Sequence, residues 1–248
     1  MTKHKHEVFD LEEHLQAEHK ITPLTTYLKE IVYGGIDGII TTFAIVAGFA
    51  GAAINPDSNL PILTILLFGF ANLFADGFSM ALGNFISTRS EQDVYRHAKA
   101  KESYEIKHHP EMEKEESLEI LLRKGFNKKQ AAHLLAIYAT NPAYWTDFMM
   151  NHELELSNPE GDNSFLMALA TLFSFVIFGF IPLSPYVFLG ELASFELSIL
   201  ATAVALFLLG LIRWRVGQQG AMRSVGEVLL LGGVAASIAY FVGTFFKI

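Results

Sequence analysis

Five long apolar stretches are separated by polar segments of very different lengths along the chain. Because about 20 apolar residues carry a helix across the hydrocarbon core of a bilayer, each stretch predicts one membrane-spanning helix. The pattern therefore predicts an all-α membrane protein with five transmembrane helices per protomer. The predicted spans are, roughly, residues 31–53, 61–87, 165–189, 192–212 and 225–246.

The segment between the second and third spans has a water-soluble composition. Acidic residues outnumber basic ones there, and Pro110, Gly125 and Pro142 interrupt it. Since proline and glycine punctuate helices, three or four short helices are expected, and Asn141 is expected to cap the one that starts at Pro142. The predicted regions are an N-terminal segment (1–29), transmembrane helices 1 and 2 (30–90), a helical domain (91–162) and transmembrane helices 3 to 5 (163–248).

The positions of Lys and Arg predict the orientation. With five crossings, all 18 of these residues except Lys247 fall on one side of the membrane. Lys and Arg concentrate in cytoplasmic loops, so the N-terminus and the domain 91–162 are expected in the cytoplasm and the C-terminus outside. The net charge of −8 argues against nucleic-acid binding. The absence of cysteine excludes disulfides and thiolate chemistry.

Two of the predicted spans contain a carboxylate, Asp37 in "GGIDGIITTF" and Asp76 in "ANLFADGFSM". A charged residue at the bilayer centre costs about 2.5–3.5 kcal/mol on insertion scales and is kept mainly for function. The alternative is that both acids cap or kink their helices beside glycine. Glu30 shares a helix face with Asp37, and Asn72 and Met80 lie one turn either side of Asp76. These five residues are the candidate transport path.

The mixture of oxygen and thioether ligands indicates a metal class. Carboxylates and amides bind hard or borderline cations, whereas a methionine sulfur favours softer ones. Fe²⁺ or another first-row metal (Mn²⁺, Co²⁺ or Zn²⁺) fits such a site, as cargo and not as a permanently bound cofactor. Buried carboxylates could also exchange the metal for protons, because burial favours their protonated form.

The domain 91–162 repeats this mixture of ligands. Two pairs of glutamates are spaced three residues apart, and "FMMNHE" adds two sulfurs and a carboxylate on one helix face. A solvated acidic helix face is the simpler interpretation for Glu111, Glu115 and Glu119. The candidate metal ligands are Glu102, Glu105, Glu113, Glu116, Met149, Met150 and Glu153.

Four segments resemble the vacuolar iron transporter family: "KEIVYGGIDGIITTFAIVAGFAGA", "ANLFADGFSMALGNFISTRSE", "GFIPLSPYVF" and "RSVGEVLLLGGVAASIAYFVG". The resemblance implies a five-span homodimer that moves Fe²⁺, often with Mn²⁺, out of the cytosol in exchange for protons. It also implies a cytoplasmic three-helix domain that gathers metal through Glu and Met. Glu30, Asp37 and Met80 match the family's path, and the seven candidates of the domain match its cytoplasmic ligands.

One position departs from the family pattern. Plant members have a glutamate where this chain has Asn72, and here the acid is Asp76, one turn later. Which of the two is the ligand on the second span stays open. "ADGFSM" is more similar to bacterial members, so a bacterial plasma membrane is predicted, or a vacuolar membrane if the source is eukaryotic.

Two other classes of function are weighed against a proton-coupled metal antiporter. A membrane-bound di-iron oxidase commonly carries two Glu-x-x-His motifs, and this chain has one, Glu105 with His108. A metal sensor or storage protein with spans as anchors would leave Asp37 and Asp76 unexplained. The sequence therefore favours a secondary transporter with a bilayer, protons and divalent metal ions as partners.

Overall fold

A computed structural model of the protein describes residues 22–52, 62–217 and 220–245, and every regular element in these ranges is helical. A short turn of helix, Pro23–Thr26, and a 3₁₀ turn, Gly190–Leu192, accompany eight longer helices. These are α1 (Leu28–Ala52), α2 (Ile62–His108), α3 (Pro110–Arg123), α4 (Lys128–Tyr138), α5 (Pro142–His152), α6 (Ser164–Leu189), α7 (Phe195–Gly217) and α8 (Ala221–Phe245).

Five of these helices are long and apolar enough to cross a membrane, which confirms the predicted number of spans. Four of them end within a few residues of the predicted bounds. The second, α2, continues well beyond its predicted end. Residues 1–21 of the predicted N-terminal segment, and the "NPDSNLP" break after the first span, lie outside the described residues. The five helices are Leu28–Gly51, Ile62–His108, Ser164–Leu189, Phe195–Val216 and Ala221–Phe245.

Helix α2 is one uninterrupted helix of 47 residues. At 1.5 Å per residue it is about 70 Å long, which is more than twice the thickness of a hydrocarbon core. Its first part is apolar, and its second part carries the charged sequence that follows Arg89. The predicted boundary at residue 90 therefore falls within a helix, because neither proline nor glycine occurs between Asn84 and His109.

The chain divides into two compact units, one drawn from 1–82 and 166–248 and the other from 83–165. In the first unit, α1 and α6 approach each other through glycines. A Cβ on Gly38 would meet the carbonyl oxygen of Phe175, and one on Gly34 would meet that of Thr171 at 2.7 Å. The Ser174 hydroxyl donates to the Ile31 carbonyl at 2.6 Å in the same crossing. Small residues thus let the two backbones come close, as is common between membrane helices.

The second unit has its own apolar core between α2, α3, α4 and α5. Local signals define its helices. Asn127 caps α4 in a capping box with Gln130. Asn141 caps α5, with its side chain accepting from the Tyr144 amide at 3.2 Å, as predicted. The turn before α4 has Gly125 at φ +97, a conformation that glycine adopts without strain. The core residues are Ile106, Leu121, Ala131, Leu135, Trp145, Phe148 and Met149.

Candidate metal-binding site

Three glutamates from different parts of the second unit converge on one point. Glu102 lies near the end of α2, Glu113 in the first turn of α3 and Glu153 directly after α5. Each offers a carboxylate oxygen, and these oxygens all lie within 4.8 Å of one another. We call these three residues the carboxylate cluster. Three oxygens at this spacing suit a divalent cation, which binds oxygen ligands at about 2.0–2.6 Å.

Two members of the carboxylate cluster are almost fully buried. Glu102 is 3% exposed and Glu113 is 2% exposed, whereas Glu153 lies at the exposed edge. Oε1 of Glu102 and Oε2 of Glu113 have no hydrogen-bond partner. Burying polar atoms without partners costs free energy, and a bound cation would satisfy both atoms. The unpartnered oxygens are therefore the feature of this unit that fits a metal ion.

The charges in the cluster favour a shared proton. Burial, the hydrogen bond to Glu113 and the charges of Glu113 and Glu153 together raise the pKa of Glu102 to about 8, with burial the largest cause. Burial also raises the pKa of Glu113, while the hydrogen bond from Glu102 opposes that rise. Below about pH 8 the Glu102 carboxyl is thus protonated, and its O–H donates a hydrogen bond to a Glu113 carboxyl oxygen. A cation that binds here must displace that proton.

The third carboxyl of the cluster responds to the same charges. Partial burial raises the pKa of Glu153, and the charges of Glu116, Glu113 and Glu105 act in the same direction. Glu105 and Glu116 are therefore electrostatic neighbours of the cluster. They lie outside the group of oxygens within 4.8 Å, and Glu105 pairs with Lys101 at 3.5 Å.

The two candidate sulfur ligands are both fully buried. Met149 belongs to the apolar core of the unit, and its Sδ accepts a hydrogen bond from the Ser117 hydroxyl at 3.1 Å. Met150 is its neighbour on α5, and its carbonyl oxygen accepts from the Leu156 amide. The last turn of α5 thus carries both methionines directly before Glu153.

The candidate residues of the first unit lie on α1 and α2. Glu30, in the first turn of α1, is 2% exposed, and its Oε2 has no hydrogen-bond partner. Asp37 and Asp76 are half-buried and close enough to interact electrostatically, so the structure brings together the two in-span carboxylates. Thr41, on the face of Asp37, donates its hydroxyl to the Asp37 carbonyl at 2.7 Å.

The remaining two path candidates are on α2. Asn72 and Met80 are half-buried. Asn72 lines an open groove of the first unit together with Ala71 and Ala75 of α2, Gly48 of α1 and Gly243 of α8. The groove is apolar apart from this amide. It leaves the small-residue side of α2 uncovered within the protomer.

Sequence reasoning missed two polar residues beside the cluster. Ser117 and Trp145 are buried and form a hydrogen bond of 2.7 Å between the Trp145 indole N–H and the Ser117 oxygen. Helical spacing could have indicated both residues. Ser117 follows Glu113 by one turn on α3, and Trp145 precedes Met149 by one turn on α5.

In the described residues, a helical fold with five membrane-length helices and a largely buried carboxylate cluster fits one class, a multi-pass membrane protein with a candidate cation site. The profile of the VIT family matches residues 28–244, nearly the whole chain. The chain therefore belongs to the VIT family.

Relatives from protists and plants agree with this assignment. The chain is 32% identical to the vacuolar iron transporter of Plasmodium falciparum (isolate 3D7), over 89% of this chain and 82% of that protein. It is 32% identical to vacuolar iron transporter 1 of Tulipa gesneriana, over 93% of this chain and 90% of that protein. Vacuolar iron transporter 1 of Arabidopsis thaliana is 31% identical, over 86% of this chain and 83% of its own length.

Proposed function

We propose that this protein is a membrane transporter of iron and not an enzyme. Its relatives in the VIT family carry the name vacuolar iron transporter, and they align over most of the chain. The observation that carries the proposal is the carboxylate cluster, in which two buried oxygens have no partner. Fe²⁺ is the cargo, and the protein needs no permanently bound cofactor.

Capture of the ion begins in the second unit. Glu102, Glu113 and Glu153 bind Fe²⁺, with Glu105 and Glu116 adding negative charge and Met149 and Met150 offering sulfur. The pKa of Glu102, raised to about 8, supports proton exchange: near neutral pH this carboxyl is protonated and releases its proton as the ion binds. The domain 91–162 is cytoplasmic in this proposal.

Passage through the membrane uses the in-span polar residues. The ion passes from Glu30 to Asp37 and then along α2, by Asp76 or Asn72, to Met80. The electrostatic proximity of Asp37 and Asp76 supports this route, because two carboxylates that repel each other are both satisfied by one divalent cation. Protons return on the same carboxylates, which makes the protein an antiporter that exports metal for detoxification and homeostasis.

Two copies of the chain form the transporter in this proposal. The uncovered small-residue side of α2 in the groove beside Asn72 supports a homodimer, because small residues favour close helix contact in lipid. Mn²⁺ is the second cargo, and Co²⁺ and Zn²⁺ fit the same borderline ligands. The bacterial plasma membrane stays a prediction, and the names of the relatives fit the vacuolar alternative.

A flux assay tests the proposal. The protein is reconstituted in proteoliposomes with a metal-sensitive dye inside, and Fe²⁺ is added anaerobically with and without an opposing pH gradient. We expect Fe²⁺ entry that the gradient accelerates and that Asp37→Asn reduces to the background of empty vesicles. Glu115→Gln, which removes an exposed carboxylate outside the cluster, should keep full flux. Absence of flux from correctly inserted protein would refute transport.

The oxidase alternative gains no support from the site. His108, the only histidine in a Glu-x-x-His motif, binds the Tyr104 carbonyl through Nδ1 at 2.8 Å and stacks on the Tyr104 ring. Within the described residues the carboxylate cluster includes no histidine. Oxygen consumption on adding Fe²⁺ to the purified protein would support the oxidase hypothesis.

A further inference from the structure

Three buried side chains next to the carboxylate cluster are connected by two hydrogen bonds. The Trp145 indole N–H donates to Ser117 Oγ at 2.7 Å, and the Ser117 hydroxyl donates to Met149 Sδ at 3.1 Å. Because an indole nitrogen can only donate, Ser117 accepts from Trp145 and its single proton is left for the sulfur. Ser117 and Met149 are fully buried, so no water competes for these bonds.

Helices α3 and α5 run antiparallel where the hydrogen bonds between Trp145, Ser117 and Met149 connect them. Ser117 is opposite Met149, and Glu113, one turn before Ser117, is opposite Glu153, one turn after Met149. The backbone of Met149 therefore lies one helical turn from that of Glu153, about 6 Å along the helix axis. A methionine side chain spans that distance, provided that its sulfur is held in one orientation.

We propose that Ser117, itself held by Trp145, is a positioning residue that fixes the Met149 sulfur for metal binding at the carboxylate cluster. The thioether has two lone pairs, of which one accepts the Ser117 hydrogen bond and the other remains for the ion. Methionine has three rotatable bonds, so losing this bond frees the sulfur to leave the site. The proposal rests on the proposed function, since it concerns how the iron site prefers Fe²⁺ to the harder Mn²⁺.

A purely structural role would give a different result. Met149 also packs in the apolar core with Trp145 and Phe148, so a hydrogen bond there could serve folding alone. Loss of folding would weaken binding of every metal equally. Loss of an oriented sulfur would weaken binding of the softer metal more. The ratio of the Fe²⁺ and Mn²⁺ affinities therefore separates the two roles.

The test measures binding of Fe²⁺, under anaerobic conditions, and of Mn²⁺ to the full chain in detergent. We expect Met149→Leu to lower the Fe²⁺/Mn²⁺ affinity ratio about tenfold, and Ser117→Ala to lower it in the same direction, as changes next to metal ligands do. Ser117→Thr keeps the hydroxyl and should keep the ratio. The double variant Ser117→Ala/Met149→Leu should match Met149→Leu alone, because Ser117 acts through the sulfur.

The design still works if one variant fails to fold. Ser117→Ala leaves the Trp145 N–H buried without an acceptor, so Trp145→Phe, which removes that donor and keeps a ring, is the second variant. We expect it to lower the ratio less than Ser117→Ala does. An unchanged ratio in both variants, or a double variant in which the losses add, would overturn the role of Ser117. Failure of the wild-type chain to bind or transport Fe²⁺ would instead refute the proposed function.

Discussion

At the scale of single residues, the shared proton of Glu102 and Glu113 links the stability of the metal-free protein to pH. The ordinary pKa of a glutamate is 4.5, and in the folded chain that of Glu102 is about 8. Below pH 4.5 both the folded and unfolded chains hold this proton. Between these values only the folded chain holds it, so this contribution to the free energy of unfolding falls as pH rises and is lost above about pH 8.

We therefore expect the melting temperature of the metal-free protein in detergent to be lower at pH 8.5 than at pH 5.5. Glu102→Gln cannot ionise and should melt at a higher temperature than the wild type at pH 8.5, with a flatter pH dependence. Glu115→Gln removes an exposed carboxylate of α3 and should follow the wild-type curve. Equal pH dependence in all three proteins would show that Glu102 is not buried as a shared acid.

The ligand positions show what residue spacing predicts and what it cannot. Spacing along the chain pairs Glu102 with Glu105 and Glu113 with Glu116. The structure instead groups one member of each pair with Glu153. Neighbours at i and i+3 share a helix face, but which of them meets the facing helix depends on the packing of the core. The packing of the helices thus brings together three of the seven candidate ligands of this unit. The spacing of residues along one helix could not predict which three.

At the scale of the elements, the crossing of α1 and α6 depends on the absence of side chains. The space next to Gly38 is filled by the backbone of Phe175, which cannot move aside as a flexible side chain would. We expect Gly38→Ala to destabilise the protein by about 1–3 kcal/mol, the usual cost of overpacking. Thermal unfolding in detergent measures the change.

Gly226, an exposed glycine of α8 outside the groove beside Asn72, provides the control. A Cβ there meets no atom within 4 Å, so Gly226→Ala should be neutral or stabilising, by up to about 1 kcal/mol from helix propensity. A melting temperature for Gly38→Ala at or above that of Gly226→Ala would contradict the close crossing.

The helices themselves were largely predictable from composition, with one exception. Apolar runs of membrane length indicated all five spans, and Asn141 before Pro142 marked the start of α5. The change from apolar to charged sequence near residue 90 predicts the start of a new region, and α2 continues through it as one helix to His108. A helix ends where its backbone is interrupted, and the first proline after the span is Pro110.

At the scale of the whole molecule, the distribution of Lys and Arg makes a prediction about sidedness. The chain contains no cysteine, so a single introduced cysteine can be labelled without background. We expect Leu192→Cys, at an exposed position between α6 and α7, to react in intact cells with a membrane-impermeant maleimide. Ser157→Cys, exposed in the second unit, should react only after the cells are opened. Labelling in the opposite pattern would invert the orientation and the direction of transport.

The unpartnered oxygens of Glu102 and Glu113 have a consequence for the lifetime of the protein in a cell. Any ligand that binds only the folded chain stabilises it, by an amount that grows with the logarithm of the ligand concentration. A cell short of iron would hold this chain in its least stable form, where proteases find it opened most often. Under the proposed function, a larger iron supply would therefore raise the abundance of this protein through binding at Glu102 and Glu113.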